Sequence, residues 1–302
     1  MEQPYKRPVD LSVPIIEVVD EECSVLGESI VWDEVKQCLW WVDGIGQKIH
    51  RRDHDTGHKK TWDFDEEIGS IGLRKGGGLI VGMRSGLFLF TEETGKLECF
   101  ARPDSEFPGH RFNDGKADRS GRFWTGTVLA KEYAPSGRLF RVDPDLSAHL
   151  MLEGISCVNG LCFSPDNRLM YYSDSFSNRI EVFDYNEHDG RIFNRRLFAE
   201  IPIGRGVCDG ATVDAQGYFW SANCYGWCVT RYTPRGQVDM VFNLPVQKPT
   251  SLCFGGPDLD VLYITTAHRR LNQAQREQQP LAGKLLAVRP GVRGIAEARF
   301  HG

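Results

Sequence analysis

Glu28, Asn113, Asn159 and Asp209 carry oxygen atoms of the kind that hold a hard cation or a polyhydroxylated ligand, and they recur at one offset along this 302-residue chain. Each stands four residues before a hydrophobic marker, respectively Trp32, Ala117, Phe163 and Val213, near the start of a short apolar run. Two further copies, marked by Leu73 and Phe254, place Gly69 and Thr250 at the same offset. Two carboxylates and amide oxygens, with no His or Cys among them, suit Ca²⁺, Mg²⁺ or Mn²⁺ better than a soft metal. Glu28 and Asp209 would balance a divalent charge. Calcium takes about six to eight oxygens, so a few protein ligands leave positions for water and substrate, as catalysis requires. Singly, Asn159-Gly160 and Asp209-Gly210 are ordinary turn dipeptides; recurrence in one column is what turns them into a candidate site. A water-filled channel lined by the same groups, without an ion, is the bland alternative. Arg111-Phe112-Asn113-Asp114-Gly115-Lys116 is the densest polar cluster. Arg111 lies two residues before Asn113, hence on the same face of an extended strand, where its guanidinium could hold an oxyanion or hydroxyls or else form a structural ion pair.

For such distant residues to meet, the runs carrying them must be equivalent strands around a common axis. Turn chemistry punctuates the chain about every ten residues, 32 glycines are spread through it, and no long 3.6-period apolar face is present. One unit reads Ser29–Trp32, Cys38–Asp43, Lys48–Arg51 and Lys60–Phe64, four strands joined by turns such as Asp55-Thr56-Gly57. Its copies recur about 41 to 50 residues apart, the period of a four-stranded propeller blade. The expected fold is therefore all-β: a single six-bladed β-propeller domain of four-stranded antiparallel blades over residues 1–302. First strands line the central channel, so the polar column should converge at one mouth of it. Asp114 and Lys116 are expected to pair with blade edges. Val13–Val19 is expected to add a strand to the last blade and close the ring, removing an exposed sheet edge. The insert from Arg269 to Pro280 reads as a short helix or a mobile loop.

Bulk composition narrows the partners. Net charge is −5 with no basic stripe, which argues against nucleic acid, and no run approaches the roughly 18 apolar residues of a membrane span. The opening Met1–Pro8 lacks the apolar core of a signal peptide, so the cytoplasm is expected. The nine scattered cysteines read as reduced, packed thiols, and Cys224 and Cys228 do not have a zinc or redox spacing. His50, His54 and His58 fall in a hairpin and read as solvated turn residues rather than a metal site. The sequence carries no signal for oligomeric state.

With these residues in view, the chain resembles the family of senescence marker protein (regucalcin), gluconolactonase and luciferin-regenerating enzyme. The resemblance spans nearly the whole chain and rests on Leu26-Gly27-Glu28-Ser29, Arg111 to Lys116, Gly121 to Thr127, Val158-Asn159-Gly160-Leu161, Asp209-Gly210 and Cys253-Phe254-Gly255-Gly256. It implies a six-bladed propeller that hydrolyses sugar lactones and binds one divalent cation through Glu28, Asn159 and Asp209. Calcium is the first expectation, with Zn, Mn, Mg or Fe as alternatives. It further implies Arg111 and Asn113 as substrate contacts and Asp209 as proton acceptor. Departures bear on substrate: Lys131 stands where animal relatives carry an acidic residue, which points to a more basic or differently shaped wall, and Cys208 stands where proline is common. Trp227 and His268 fall in loops within reach of the mouth. The rival readings are a hydrolase of aromatic lactones or organophosphates with the same metal, and a calcium-binding propeller scaffold without turnover.

Overall fold

The computed structural model describes residues 15–130 and 134–302. Six four-stranded antiparallel sheets follow one another along the chain and stand around a central axis as the blades of a propeller. The inner strands are Gly27–Asp33, Ile68–Leu73, His110–Ala117, Val158–Phe163, Val207–Val213 and Pro249–Gly255, blades 1 to 6 in order. Each is hydrogen-bonded to the next strand in sequence and so outward to the rim.

Blades stack face to face, which is why a strand such as Cys38–Asp43 (Cys-Leu-Trp-Trp-Val-Asp) is buried along its whole length instead of alternating. The core is correspondingly divided into six hydrophobic clusters, one at each interface between adjacent blades. Val31, Trp40 and Val42 of blade 1 pack on Ile71, Val81 and Phe90 of blade 2. At the joint of the ring, Trp32 and Trp41 of blade 1 pack on Cys253 and Tyr263 of blade 6.

The joint is closed as expected. Glu17–Asp20 pairs antiparallel with Leu285–Val288, placing Glu17 opposite Ala287 and supplying the outermost strand of blade 6. Val13 and Pro14 lie outside the described residues. The insert forms a helix over Gln273–Gln278, held by a capping box in which Asn272 accepts from Gln275 N–H at 2.9 Å and Gln275 accepts from Asn272 N–H at 3.0 Å. It is too short and polar to span a bilayer, and among the described residues no helix is long and apolar enough to cross a membrane.

Turns are set locally by aspartate. Asp118 and Asp214 each accept two backbone N–H groups of their own turn and the indole N–H of the Trp six residues on, Trp124 at 3.1 Å and Trp220 at 2.9 Å. The chain's last residues cross the ends of the inner strands that lie farthest from Glu28, Asn159 and Asp209. Gly294 bonds to Leu259 O and bridges to Asp214, Ile295 packs on the cluster between blades 4 and 5, Glu297 pairs with Lys116 at 2.7 Å, Arg299 with Asp33 at 2.6 Å, and Phe300 N–H bonds to Leu73 O. This segment touches every blade. The space left between it and blades 3 to 5 is about 20 Å³, barely enough for one water.

Two readings are corrected. His50 is a buried strand residue, not a solvated turn residue: its Nδ1 lies 2.9 Å from Thr61 Oγ1, its ring stacks on Trp41, and burial lowers its pKa to about 4. Lys116 does not pair with a neighbouring blade but with Glu297 of the terminal segment.

Candidate functional site

Every inner strand has a register shift against its neighbour at or beside the polar column, between Glu28 and Val31, Ile68 and Ser70, Phe112 and Gly115, Asn159 and Cys162, Cys208 and Ala211, and Pro249 and Ser251. Such bulges bend a strand and re-aim the side chain at the irregularity. Ser29 and Gly160, just after Glu28 and Asn159, accordingly adopt positive φ of 49° and 64°. The bulge also frees polar groups that staple one blade to the next. Ser29 Oγ accepts Ile71 N–H at 2.8 Å, and Asp114 Oδ2 accepts Leu161 N–H at 3.0 Å.

The result is a cavity of about 100 Å³ at one end of the axis. Glu28, Asn113, Asn159, Asp209 and Arg111 all line it, joined by Cys157, Ser175, Phe176, Cys224, Tyr225, Lys248, Arg269 and Arg270. Gly69 and Thr250 complete the column without contributing to it. A Cβ on Gly69 would lie 2.1 Å from Phe112 O, so only glycine lets blades 2 and 3 approach. Thr250, fully buried, donates to Gly27 O and binds Thr265 Oγ1 at 2.9 Å, tying blade 6 to blade 1. A larger hollow of about 280 Å³ adjoins the cavity across Arg111, but Glu28, Asn159 and Asp209 do not reach it.

A relay of hydrogen bonds crosses the floor. Arg111 Nη1 donates to Asn113 Oδ1 at 2.8 Å, and Asn113 Nδ2 to Asn159 Oδ1 at 3.1 Å. Asn159 Nδ2 then donates to Ser175 Oγ at 2.7 Å, and Ser175 Oγ to Cys208 O at 2.8 Å. The relay fixes which end of each amide is oxygen and leaves Asn159 Oδ1 one lone pair beyond the one Asn113 uses. Arg111 lies 3.6 Å from Glu67 and lines the cavity.

The carboxylates are held against their preference. Burial, then the charges of Asp209 and Asp114, push Glu28 well above the ordinary carboxylate range. Burial, then Asp114, raises Asp209 to about 8. Asp114 itself is raised to about 6 by burial, opposed by the N–H groups of Leu161 and Gly115. Arg111 opposes the shifts of Glu28 and Asp209 but forms no ion pair with either. Two mutually repelling carboxylates, Asp209 buried and Glu28 half-buried, share the cavity with the Asn159 amide, and hard-oxygen groups of this kind suit a divalent cation. Among the described residues no three of His, Cys, Asp and Glu stand close enough to hold a metal by themselves.

Sequence reasoning missed Ser175, Cys157, Cys224, Lys248 and Arg269. Cys157 and Cys224 are free thiols on the cavity wall, with pKa values raised chiefly by burial. Cys208 packs in the cluster between blades 4 and 5. Trp227 and His268 do not line the cavity, although Tyr225 and Arg269 beside them do. Lys131 lies outside the described residues.

The family model of the SMP-30/Gluconolactonase/LRE-like region matches residues 26–268. A 6-deoxy-6-sulfogluconolactonase from Pseudomonas putida is 38% identical over 288 residues, covering 95% of this chain and 99% of that protein. A regucalcin from Xenopus laevis is 36% identical over 295 residues, covering 95% and 98%. Among solved structures, a calcium-binding protein, regucalcin, from Agrobacterium tumefaciens superposes with a TM-score of 0.90 at 26% identity, covering 94% of this chain and 97% of that one.

Proposed function

Because the chain belongs to the SMP-30/Gluconolactonase/LRE-like family, we propose that it hydrolyses sugar lactones to the corresponding sugar acids, using one divalent cation held by Glu28, Asn159 and Asp209. The observation that carries this reading is the convergence of two carboxylates and one oriented amide, from blades 1, 4 and 5, on one open cavity. The relatives named for gluconolactone chemistry and for calcium binding support the substrate class and calcium as the first choice of ion.

A bound divalent cation would supply Lewis acidity to the lactone carbonyl. The chain's own residues do the rest. Asp209 would accept the proton of the attacking water, a role its carboxylate can fill once the cation has displaced the proton that burial favours. Glu28 balances charge. Asn159 is a neutral ligand, locked by Asn113 and Ser175. Arg111 and Asn113 would bind ring hydroxyls, and Phe176 and Tyr225 add apolar surface to the cavity lining.

The test is acid release from a panel of aldonolactones after chelation, with single divalent ions added back, in wild type and Asp209→Asn. The reading expects activity that needs the metal and falls at least about a hundredfold in the variant. Full turnover without metal, or in Asp209→Asn, overturns it. A preference for aromatic lactones or organophosphates would move the substrate class, and metal binding without turnover of any ester would leave a scaffold.

A further inference from the structure

Blade 3 brings together a second set of side chains with chemistry, outside the cavity at the axis. Asp104 follows the outer strand Lys96–Ala101 of blade 2, His110 opens the inner strand His110–Ala117, and Ser136 immediately precedes the strand Gly137–Val142. Asp104 and His110 are buried. His110 Nδ1 lies 2.7 Å from Asp104 Oδ2, and His110 Nε2 lies 3.0 Å from Ser136 Oγ. A carboxylate only accepts, so in the neutral imidazole the proton sits on Nδ1. Nε2 is then left with a lone pair, and the Ser136 hydroxyl donates to it. Hydroxyl, base and orienting carboxylate in that order are the arrangement that activates a serine nucleophile.

The surroundings hold this geometry. Arg138 Nη1 donates to the other oxygen of Asp104 at 2.7 Å, so both carboxylate oxygens are fixed. The Arg138 guanidinium lies 3.2 Å from the ring centre of Phe107, and that ring stacks on His110 at 5.8 Å. Ser136 stands on a turn between Pro135 and Gly137 and is half-buried, so its hydroxyl is within reach of solvent. Asp104, Phe107, His110 and Thr127 line the hollow of about 280 Å³, several times the roughly 30 Å³ that a water occupies in the liquid. Ser136 adjoins that hollow through Thr127: Arg138 N–H bonds to Thr127 Oγ1 at 3.1 Å, and a Cβ on Gly137 would lie 2.4 Å from Thr127 O. The same bonds brace blade 3, but a brace requires neither an open hollow beside the base nor a half-buried hydroxyl.

We infer that Ser136 is the nucleophile of a second, metal-independent site that hydrolyses small carboxylic esters of short acyl chain, with His110 as its base and Asp104 as the residue that positions His110. Ser136 Oγ bonds to the ester carbonyl carbon as its proton passes to His110 Nε2. The bond from that carbon to the alcohol oxygen then breaks, and the leaving alcohol takes the proton from His110. Water attacks the acyl-serine in the same way, giving its proton to His110, and the acid departs as the proton returns to Ser136 Oγ. Water is the sole co-reactant. None of Glu28, Asn159 and Asp209 lines this hollow, so the reaction does not draw on a cation at the axis.

The experiment treats the full chain, kept in chelator, with a small fluorophosphonate and maps the adduct by mass spectrometry, while hydrolysis of p-nitrophenyl acetate is followed with and without divalent ions. The expected result is a single adduct on Ser136, a burst of about one p-nitrophenol per chain, and a rate that chelation leaves unchanged. Ser136→Ala and His110→Gln should each lower ester turnover at least about a hundredfold, and His110→Gln should also abolish the adduct. Asp104→Asn should lower kcat while KM stays within about twofold of wild type, a split that mere loosening of the blade would not give. Metal-dependent acid release from aldonolactones should survive in Ser136→Ala, which separates this site from the one at the axis. If no lactone is opened under any metal but Ser136 is labelled, the lactone reading fails and this site stands. Wild-type protein that gives no adduct on Ser136, or an adduct formed equally fast in His110→Gln, overturns the inference.

Discussion

Ser175→Ala removes a hydroxyl that touches neither proposed charge, yet it should weaken cation binding. Ser175 is buried, accepts Asn159 Nδ2–H at 2.7 Å and donates to Cys208 O at 2.8 Å. Without it, the Asn159 amide keeps Asn113 on its oxygen at 3.1 Å and only the long contact of its Nδ2 to Cys157 Sγ at 3.6 Å, a weaker hold against turning its NH₂ to a cation. Loss of an outer partner of a metal ligand typically costs about 10- to 100-fold in affinity. That corresponds to about 1.4 to 2.7 kcal/mol. Independently, the change takes the hydroxyl from a buried carbonyl, costing about 1 to 3 kcal/mol, which for a chain of this size lowers Tm by roughly 2 to 5 °C. The assay is calorimetric titration of Ca²⁺ into chelated wild type, Ser175→Ala and Asn159→Ala, with a thermal melt of each. Affinity should rank wild type, Ser175→Ala, Asn159→Ala. A melt that falls while affinity stays within twofold of wild type would refute the orienting role and leave Ser175 as a brace between blades 4 and 5.

Cation binding should strengthen as pH rises, because Glu28 and Asp209 retain protons that a cation must displace. Asp209 is raised to about 8, so titrations from pH 6 upward should show affinity climbing up to about tenfold per unit for each proton released, with the part due to Asp209 levelling above pH 8; a flat profile contradicts this. Linkage gives the stability sign for the chelated protein. A carboxylate whose folded pKa is raised holds its proton longer in the folded state, so stability declines from about pH 4 to about pH 8, and saturating cation should abolish the decline in Tm. Asp214→Ala should cost about 3 to 5 kcal/mol in denaturant unfolding, since it leaves the buried Arg231 guanidinium, bonded to Asp214 at 2.7 and 2.9 Å, without its main partner; a loss below about 1 kcal/mol would show that Asp239 compensates. Deleting residues 1–20 should lower Tm and promote self-association in light scattering, because Leu285–Val288 then presents an open sheet edge; a monodisperse product with wild-type Tm would show the closing strand to be dispensable.

The ring was legible because each blade repeats one local grammar, an apolar inner strand followed by a turn led by residues such as Asp118 or Asp214, and repetition survives the noise of any single copy. The column from Glu28 to Thr250 was legible for the same reason, and its members do reach the axis together. What the column could not tell is which of them face the cavity: Gly69 is excluded by the close approach of Phe112 O, and Thr250 turns away to Gly27 O. Ser175, Lys248 and Arg269 were invisible because they lie at other offsets, on the turns after second strands or at inner-strand entries, and acquire meaning only through partners on other blades. His50 was misread because a histidine in a hairpin sequence is usually solvated; stacking on Trp41 buries it.

The strap of residues 294–300 gives the pore a sealed base. Phe176, Tyr225 and Arg269 line the cavity at the other end, where ion, water and sugar would enter and leave. A released acid therefore stands in the path of the next molecule, and traffic through that doorway becomes a candidate for the slow step of each cycle.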